Sequence, residues 1–143
     1  NNPPQPPRNP AGQGDPKTKR VLIVDDDAAM LNLLEILIHR DGFQISLAMS
    51  GDEALEKLKF KPDALVLDLM LPGNTSGFDV LKRLDPAAGP IPPVIVVTAF
   101  GSAPEVQSVM RDPKVVEFLP KPINQGRLLA ALHKALKTRP PSK

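Results

Sequence analysis

Acidic, hydroxyl and basic residues follow short apolar segments at four places in this sequence. Asp25–Asp27 is a run of three aspartates, and Asp68, Thr98 and Lys121 stand at later positions. Each comes at or just after the end of a predicted strand, in residues 21–24, 64–67, 94–97 and 115–119, of which the first three are apolar throughout. Because ligands of open parallel sheets bind at the carboxyl ends of the strands, we expect these side chains to converge on one edge.

These residue types together suit phosphoryl transfer. Clustered carboxylates repel one another and raise each other's pKa, so a cation must offset their charge. Mg²⁺ prefers oxygen ligands and is commonly held by a few carboxylates and waters. A metal ion, a lysine and a hydroxyl around one carboxylate offer partners for the three equatorial oxygens of a phosphoryl group. The carboxylate would be the nucleophile and would become an acyl phosphate.

Each of these residues also has an ordinary structural interpretation. Asp27, directly before Ala28, is better explained as a helix N-cap than as a ligand. After a strand, a single aspartate is commonly a turn residue, a lysine is commonly solvated, and a threonine is commonly a loop hydroxyl. All of these interpretations would have to hold at the same edge of the sheet, so we favour a shared site.

Five predicted strands alternate with five predicted helices. The remaining strand, residues 43–49, alternates in polarity and ends in Met49-Ser50, and the helices are predicted at residues 28–40, 50–60, 77–84, 104–111 and 124–137. Fully apolar strands are buried on both faces, which predicts a parallel sheet covered by helices on both sides. Right-handed crossovers make this a doubly wound α/β fold. His39 and His133 are predicted to be surface residues without a role.

Composition sets the boundaries of the folded part. The chain has 143 residues, no cysteine and 18 prolines, six of them in the first sixteen residues. Residues 1–18 contain no Val, Ile, Leu, Met or Phe, so we predict a disordered Pro-rich linker, a domain over 19–138 and a flexible tail over 139–143. The net charge of +2 comes from the tails, so direct nucleic-acid binding is not expected. The sequence contains no apolar run of about 18 residues, so no membrane span is predicted.

Four segments resemble one family. VLIVDDD (21–27), LVLDLMLPG (65–73), VIVVTA (94–99) and FLPKP (118–122) are similar to motifs of the receiver domain of bacterial two-component response regulators. They occur in order, on the expected strands, and are distributed along essentially the whole of residues 20–137. The resemblance implies a flavodoxin-like (βα)5 fold. It also implies a cytoplasmic signalling protein that receives a phosphoryl group from a histidine kinase or histidine phosphotransfer protein.

The resemblance implies a role for each site residue. Asp68 is the phosphoacceptor, and Lys121 pairs with it and then with the phosphoryl group. Mg²⁺ is held by Asp25, Asp26 and Asp68 and by the backbone carbonyl of Met70. Such a domain catalyses only its own phosphorylation and dephosphorylation, and is otherwise not an enzyme.

The same resemblance implies a switch. Thr98 donates to the phosphoryl oxygen and moves on phosphorylation, and Phe118 turns inward as it does so. Ala99 is the small residue that leaves the phosphate accessible, and the Lys121–Pro122 peptide bond is cis. Apolar side chains at Met70 and Phe100 cannot orient a water, so we expect an aspartyl phosphate that is not unusually short-lived.

Several features leave the wider arrangement open. The loop over 72–77 and the segment from 98 to 121 are each one residue longer than is usual in the family. The Pro-rich linker and the absence of an initial Met favour the C-terminal receiver of a hybrid kinase over a single-domain regulator, and a domain cut from a longer regulator is a third arrangement. A phosphorylation-independent interaction module with the same fold is the alternative function.

Overall fold

A computed structural model describes residues 13–99 and 104–141 of the chain. Five strands alternate with five helices in this part of the sequence. The strands are β1 (Arg20–Val24), β2 (Gln44–Ala48), β3 (Ala64–Leu67), β4 (Val94–Thr98) and β5 (Val115–Pro120). The helices are α1 (Ala28–Arg40), α2 (Gly51–Leu58), α3 (Gly77–Arg83), α4 (Pro104–Met110) and α5 (Gln125–Leu136).

The strands form one parallel sheet in the order β2-β1-β3-β4-β5. The chain therefore winds in one direction from β1 to β2 and in the other from β1 through β3, β4 and β5. The doubly wound α/β fold predicted from the sequence is confirmed. The reversal lies between β1 and β3, where ligands of such sheets bind. Asp25 and Asp68 are the residues that follow these two strands.

Aliphatic side chains on both faces of the sheet hold the helices in place. One core cluster contains residues of α2, α3 and α4, including Ala54, Val80 and Val106. The opposite cluster contains residues of α1 and α5, including Leu34 and Leu128. Sheet residues of both clusters are almost fully buried, which explains the apolar runs in the sequence. No helix in the described ranges is long and apolar enough to cross a membrane.

The segment before β1 corrects one expectation. Residues 1–18 were expected to be a disordered linker, but residues 14–18 are part of the fold, and residues 1–12 lie outside the described ranges. Pro16–Thr18 forms a 3₁₀ helix capped by Asp15. The N–H of Gly14 donates to the carbonyl of Lys137 at 2.7 Å, and Gly14 pairs in parallel with Thr138. Backbone hydrogen bonds and one buried proline ring, rather than a run of apolar side chains, order this segment.

Buried Pro16 packs closely on the turn between α1 and β2. Gly42 in this turn has a φ of +107°, a conformation that side chains rarely adopt, and a Cβ there would lie 2.9 Å from Cγ of Pro16. Glycine is thus required at this position both by the backbone conformation and by the contact with Pro16.

His133 corrects a second expectation. His39 is exposed, as predicted, but His133 is 6% exposed. Its Nδ1 lies 2.8 Å from Oγ1 of Thr138, and its Nε2 lies 2.9 Å from Oδ2 of Asp41. Its ring is also in contact with that of Phe43, with the ring centroids 4.8 Å apart. The end of α5 and the segment that pairs with Gly14 cover this histidine, which the local helical pattern does not reveal.

Candidate functional site

Asp25 and Asp68 stand in equivalent positions at the ends of neighbouring strands. The backbone N–H of Asp25 donates to Ala48 at 3.1 Å, and that of Asp68 donates to Val24 at 3.0 Å. Oδ1 of Asp25 accepts from the N–H of Asp27 at 2.9 Å, and Oδ1 of Asp68 accepts from the N–H of Met70 at 3.0 Å. Each carboxylate is therefore oriented by its own loop and leaves Oδ2 free for a shared partner.

That shared partner is Lys121. Its Nζ lies 2.9 Å from Oδ2 of Asp25 and 3.0 Å from Oδ2 of Asp68. The backbone N–H of Lys121 donates to the carbonyl of Thr98 at 2.8 Å, which joins the ends of β4 and β5. The Lys121–Pro122 peptide bond is cis, as the resemblance implied. Residues from three strand ends thus meet in one charged contact.

The charges at this edge are shifted by burial and by one another. Burial raises the pKa of Asp25, whose side chain is 1% exposed, and the neighbouring charge of Asp68 adds to this, while bonds from Asp27 and Lys121 oppose it. Burial alone would lower the pKa of Lys121, but its hydrogen bonds to Asp25 and Asp68 and their charges outweigh burial and raise it. The pKa of Asp25 is thus raised mainly by its burial, and the pKa of Lys121 by the two carboxylates that it contacts.

The carboxylates suit a hard cation. Carboxylate oxygens of Asp25, Asp26 and Asp68 all lie within 4.8 Å of one another. Asp26 is exposed, whereas the other two are buried. The single ammonium of Lys121 does not balance three carboxylates, and oxygen is the ligand that Mg²⁺ prefers. The fit of these residues to Mg²⁺ rests on this excess negative charge and on the all-oxygen donor set.

Thr98 is the buried polar residue without a partner. It is 0% exposed, and within residues 13–99 and 104–141 its Oγ1 has no hydrogen-bond partner. A buried hydroxyl left unpaired is unfavourable, so this atom is free to donate to an acceptor. Phe118 on the adjacent strand is partly buried and packs against the cluster that includes Val96. Ala99, next to Thr98, is exposed.

Two predicted residues fall outside this group. Asp27 caps α1, since its Oδ1 accepts from the N–H of Ala29 at 3.0 Å, and the N-cap interpretation is confirmed. Phe100 lies outside the described residues. The side chain of Met70 is 48% exposed beside the acceptor. The structure therefore brings Asp25, Asp26, Asp68 and Lys121 together.

One supporting residue escaped sequence reasoning. A Cβ at Gly77 would lie 2.1 Å from the carbonyl oxygen of Asp68, so only glycine lets α3 begin against the acceptor's backbone. A capping box between Ser76 and Asp79 starts the same helix. The bond from the backbone of Ser76 lowers the pKa of Asp79. The Ser-x-x-Asp spacing resembles a capping box and was a usable signal for the helix start, but nothing local reveals the contact with Asp68.

Comparison with known proteins identifies the family. The family model for the response regulator receiver domain matches residues 21–133. This chain belongs to that family. Receiver domains of two-component systems bind Mg²⁺ at a cluster of aspartates and take phosphoryl groups from histidine kinases. The cluster of Asp25, Asp26 and Asp68 is such a group.

Curated relatives of this receiver domain are longer proteins. The chain is 36% identical over 119 residues to the transcriptional regulatory protein CpxR of Escherichia coli K12, covering 82% of this chain and 49% of CpxR. It is 36% identical over 123 residues to the response regulator MprA of Mycobacterium avium, covering 85% of this chain and 53% of MprA. The chain thus spans about half the length of these relatives.

Solved structures share the fold of this receiver domain. The signal receiver domain of a putative LuxO repressor protein from Vibrio parahaemolyticus has a TM-score of 0.74 at 32% identity, covering 83% of this chain and 90% of that chain. A CheY-like receiver domain protein from Methanospirillum hungatei has a TM-score of 0.72 at 26% identity, covering 82% and 93% of the two chains.

Proposed function

We propose that this receiver domain accepts a phosphoryl group onto Asp68, in a Mg²⁺-dependent reaction, from a histidine kinase or histidine phosphotransfer protein. The observation that carries the proposal is the ammonium of Lys121 within 3.0 Å of the carboxylates of both Asp25 and Asp68. Such a contact holds the acceptor beside a fixed positive charge, where negative charge develops during phosphoryl transfer.

The proposed step is a displacement at phosphorus. A carboxylate oxygen of Asp68 attacks the phosphorus of the donor's phosphohistidine, the new P–O bond forms as the P–N bond breaks, and the imidazole nitrogen keeps the electron pair. Lys121 then contacts a phosphoryl oxygen in place of the free carboxylate. When bound by Asp25, Asp26, Asp68 and the backbone carbonyl of Met70, Mg²⁺ would neutralise charge on the phosphoryl oxygens.

The switch would begin at Thr98. The unpaired hydroxyl of this residue supports a role as donor to the phosphoryl group, because it gains a hydrogen bond only when an acceptor arrives. The movement of Thr98 would free space for Phe118, which packs against the cluster that includes Val96, and so change the surface offered to a partner. The phosphoryl group favours the switched state because it accepts a hydrogen bond from Thr98 only in that state.

The wider setting is also part of the proposal. We propose the C-terminal receiver of a hybrid kinase or a single-domain regulator, acting in the cytoplasm, with no direct contact to nucleic acid and no catalysis beyond its own phosphorylation and dephosphorylation. The curated relatives are about twice as long as the matched region. A receiver joined to an output domain is therefore an equally consistent arrangement for the parent protein.

Asp68→Asn provides the direct test, with Asp27→Asn as its matched control. The protein is incubated with Mg²⁺ and a small phosphodonor such as acetyl phosphate, and intact mass is measured. The wild type and Asp27→Asn should each gain one phosphoryl group, because Asp27 only caps α1 and asparagine caps equally well. Asp68→Asn and the wild type without Mg²⁺ should gain none. Modification of Asp68→Asn would contradict the assignment.

The alternative is a phosphorylation-independent interaction module. It would retain the fold but show no modification and no Mg²⁺-dependent change with either acetyl phosphate or beryllofluoride. Intact mass and thermal stability measured with and without Mg²⁺ separate the two functions. The excess of negative charge at Asp25, Asp26 and Asp68 supports Mg²⁺-dependent phosphorylation.

The phosphate should persist once formed. The exposed side chain next to the acceptor belongs to Met70, whose thioether cannot orient an attacking water. Phosphorylated protein separated from the donor should keep its label well beyond seconds, as followed by intact mass over time. Loss of the label within seconds would refute this expectation.

A further inference from the structure

An open groove lies at the amino edge of the sheet, opposite the acceptor. We define it by Leu58, Pro62, Leu84, Ile91 and Pro93, and call it the proline groove. Pro62 and Pro93 lie just before β3 and β4, so the groove is at the other end of these strands from Asp68. Its volume is about 430 Å³. An apolar cavity of about 150 Å³ is enough to hold benzene, so an aromatic ring fits.

Phe60 is next to the proline groove in the chain. It lies between Leu58 and Lys61, which both line the groove, and its side chain is 82% exposed. This is the largest exposed fraction among the large apolar side chains described. The next residue, Lys61, has a φ of +55°, so the chain turns sharply just after Phe60. An exposed apolar ring therefore lies within one residue, along the chain, of a groove lined by apolar and charged side chains.

Charges of both signs surround the same surface. Lys61 and Arg83 are exposed, and their side chains make no hydrogen bond or ion pair with any residue of the described ranges. Asp63 accepts from the N–H of Arg20 at 2.8 Å, and Asp85 accepts from the N–H of Ala87 at 2.9 Å. The two carboxylates still carry net charge, so the surface offers two cations and two anions.

A second copy of this chain is the occupant that these features fit. In a two-fold dimer the same surface meets itself, so it must contain both a projection and a place to receive it, and both signs of charge. A surface of one sign would repel its copy, whereas this one can pair Lys61 and Arg83 with carboxylates of the other molecule. We propose that Phe60 of each copy inserts into the proline groove of the other and that this forms a reversible dimer.

Sedimentation velocity over a series from low micromolar to millimolar protein tests the proposal, without phosphodonor. The wild type should dimerise reversibly. Phe60→Ser should weaken association on the order of 100-fold, because each dimer loses two buried rings. Ile36→Ser, which removes a side chain 52% exposed on α1, is the matched control and should not change it.

A second pair of variants tests the charges. Arg83→Glu leaves an excess of carboxylates around the groove and should weaken the dimer. Lys82→Glu makes the same change of charge on a neighbouring exposed residue that does not line the groove, and should leave it unchanged. Thermal unfolding of each variant verifies that the fold is intact.

The remaining outcomes are equally decisive. Asp68→Asn should dimerise like the wild type, because the groove lies at the opposite edge from the acceptor. A wild-type chain that stays monomeric throughout the series overturns the proposal and leaves the groove to a different partner. A control variant that weakens association as much as Phe60→Ser or Arg83→Glu also overturns it.

Discussion

Two buried polar clusters stand at opposite ends of the sheet and are satisfied to different degrees. At the amino edge, both ring nitrogens of His133 have partners, one in Thr138 and one in Asp41. At the carboxyl edge, two buried carboxylates share Lys121, and the hydroxyl of Thr98 has no partner in the described chain. Complete pairing is what a structural cluster requires, whereas unpaired groups mark the place where a ligand is expected.

The difference in hydrogen-bond pairing between the two clusters predicts whether a substitution raises or lowers the stability of the domain. Removing a polar group from the satisfied cluster leaves its partners unpaired and should destabilise the fold. Removing the unpaired hydroxyl of Thr98, or the charge of the buried Asp25, relieves an existing cost and should stabilise the unphosphorylated domain, while it impairs function.

Gly77→Ala should have the largest effect. The new Cβ would lie 2.1 Å from the carbonyl oxygen of Asp68, so α3 or the acceptor's backbone must shift, at a cost of about 3 kcal/mol or more. Gly126→Ala in the first turn of α5 is the control, since its Cβ would meet Oδ1 of Asn124 at an ordinary 3.5 Å. Urea unfolding measures both. Equal stability of the two variants would contradict the tight contact.

His133→Ala should destabilise the domain by about 2–3 kcal/mol. It removes a buried ring packed on Phe43 and leaves Asp41 and Thr138 without their partner. His39→Ala changes an exposed histidine of α1 and should stay within about 0.5 kcal/mol of the wild type. Urea unfolding measures the stability of both variants. A small effect of His133→Ala would contradict the view that the paired cluster around His133 stabilises the fold.

Thr98→Val and Thr138→Val should have opposite effects of about 1 kcal/mol each. Both threonines are at most 1% exposed, but only Thr138 is bonded to His133. Thr98→Val should therefore stabilise the unphosphorylated domain, and Thr138→Val should destabilise it. Thermal unfolding without phosphodonor gives the signs. Destabilisation by both would show that Thr98 is not an unpaired hydroxyl.

Asp25→Asn should show a small effect that depends on pH. Because burial raises the pKa of Asp25, the folded state binds its proton more tightly than the unfolded state does. Stability from this residue therefore falls as pH rises from the ordinary value of 3.8 through the raised pKa. In Mg²⁺-free buffer, the stability of Asp25→Asn relative to the wild type should grow across that window.

For Asp79 the contribution to stability should change with pH in the opposite direction. The bond from the Ser76 backbone lowers its pKa, so its contribution is present above the ordinary value of 3.8 and is lost as pH falls through the lowered pKa. Asp79→Asn should accordingly approach wild-type stability at low pH. A pH-independent difference for Asp25→Asn would contradict the raised pKa of Asp25.

The sequence was sufficient for the strands and for most of the acceptor edge. Val21–Val24 and Val94–Val97 are apolar throughout because both faces of the sheet are covered, and an ionisable or hydroxyl residue follows each such strand. Parallel pairing then brings these residues to one edge without further information. Asp27 could be separated from the group because it directly precedes a helical pattern.

The amino edge could not be predicted in the same way. Burial of His133 depends on Asp41, 92 positions away, and on a segment after α5 that is held by Gly14. Helical periodicity places a residue on a face but does not reveal which distant segment covers that face. Residues 14–18 are ordered by backbone hydrogen bonds, which apolar patterning does not register.

The parallel pairing of Gly14 with Thr138 has a mechanical consequence. Because the two segments run in the same direction, the chain before Gly14 and the chain after Thr138 extend towards opposite sides. Tension between these two ends pulls the segments along each other. The bond from Gly14 to Lys137 and the bond from Arg139 to Gly14 then bear the load together. This junction is sheared rather than peeled apart, so force reaches both bonds before it reaches the sheet.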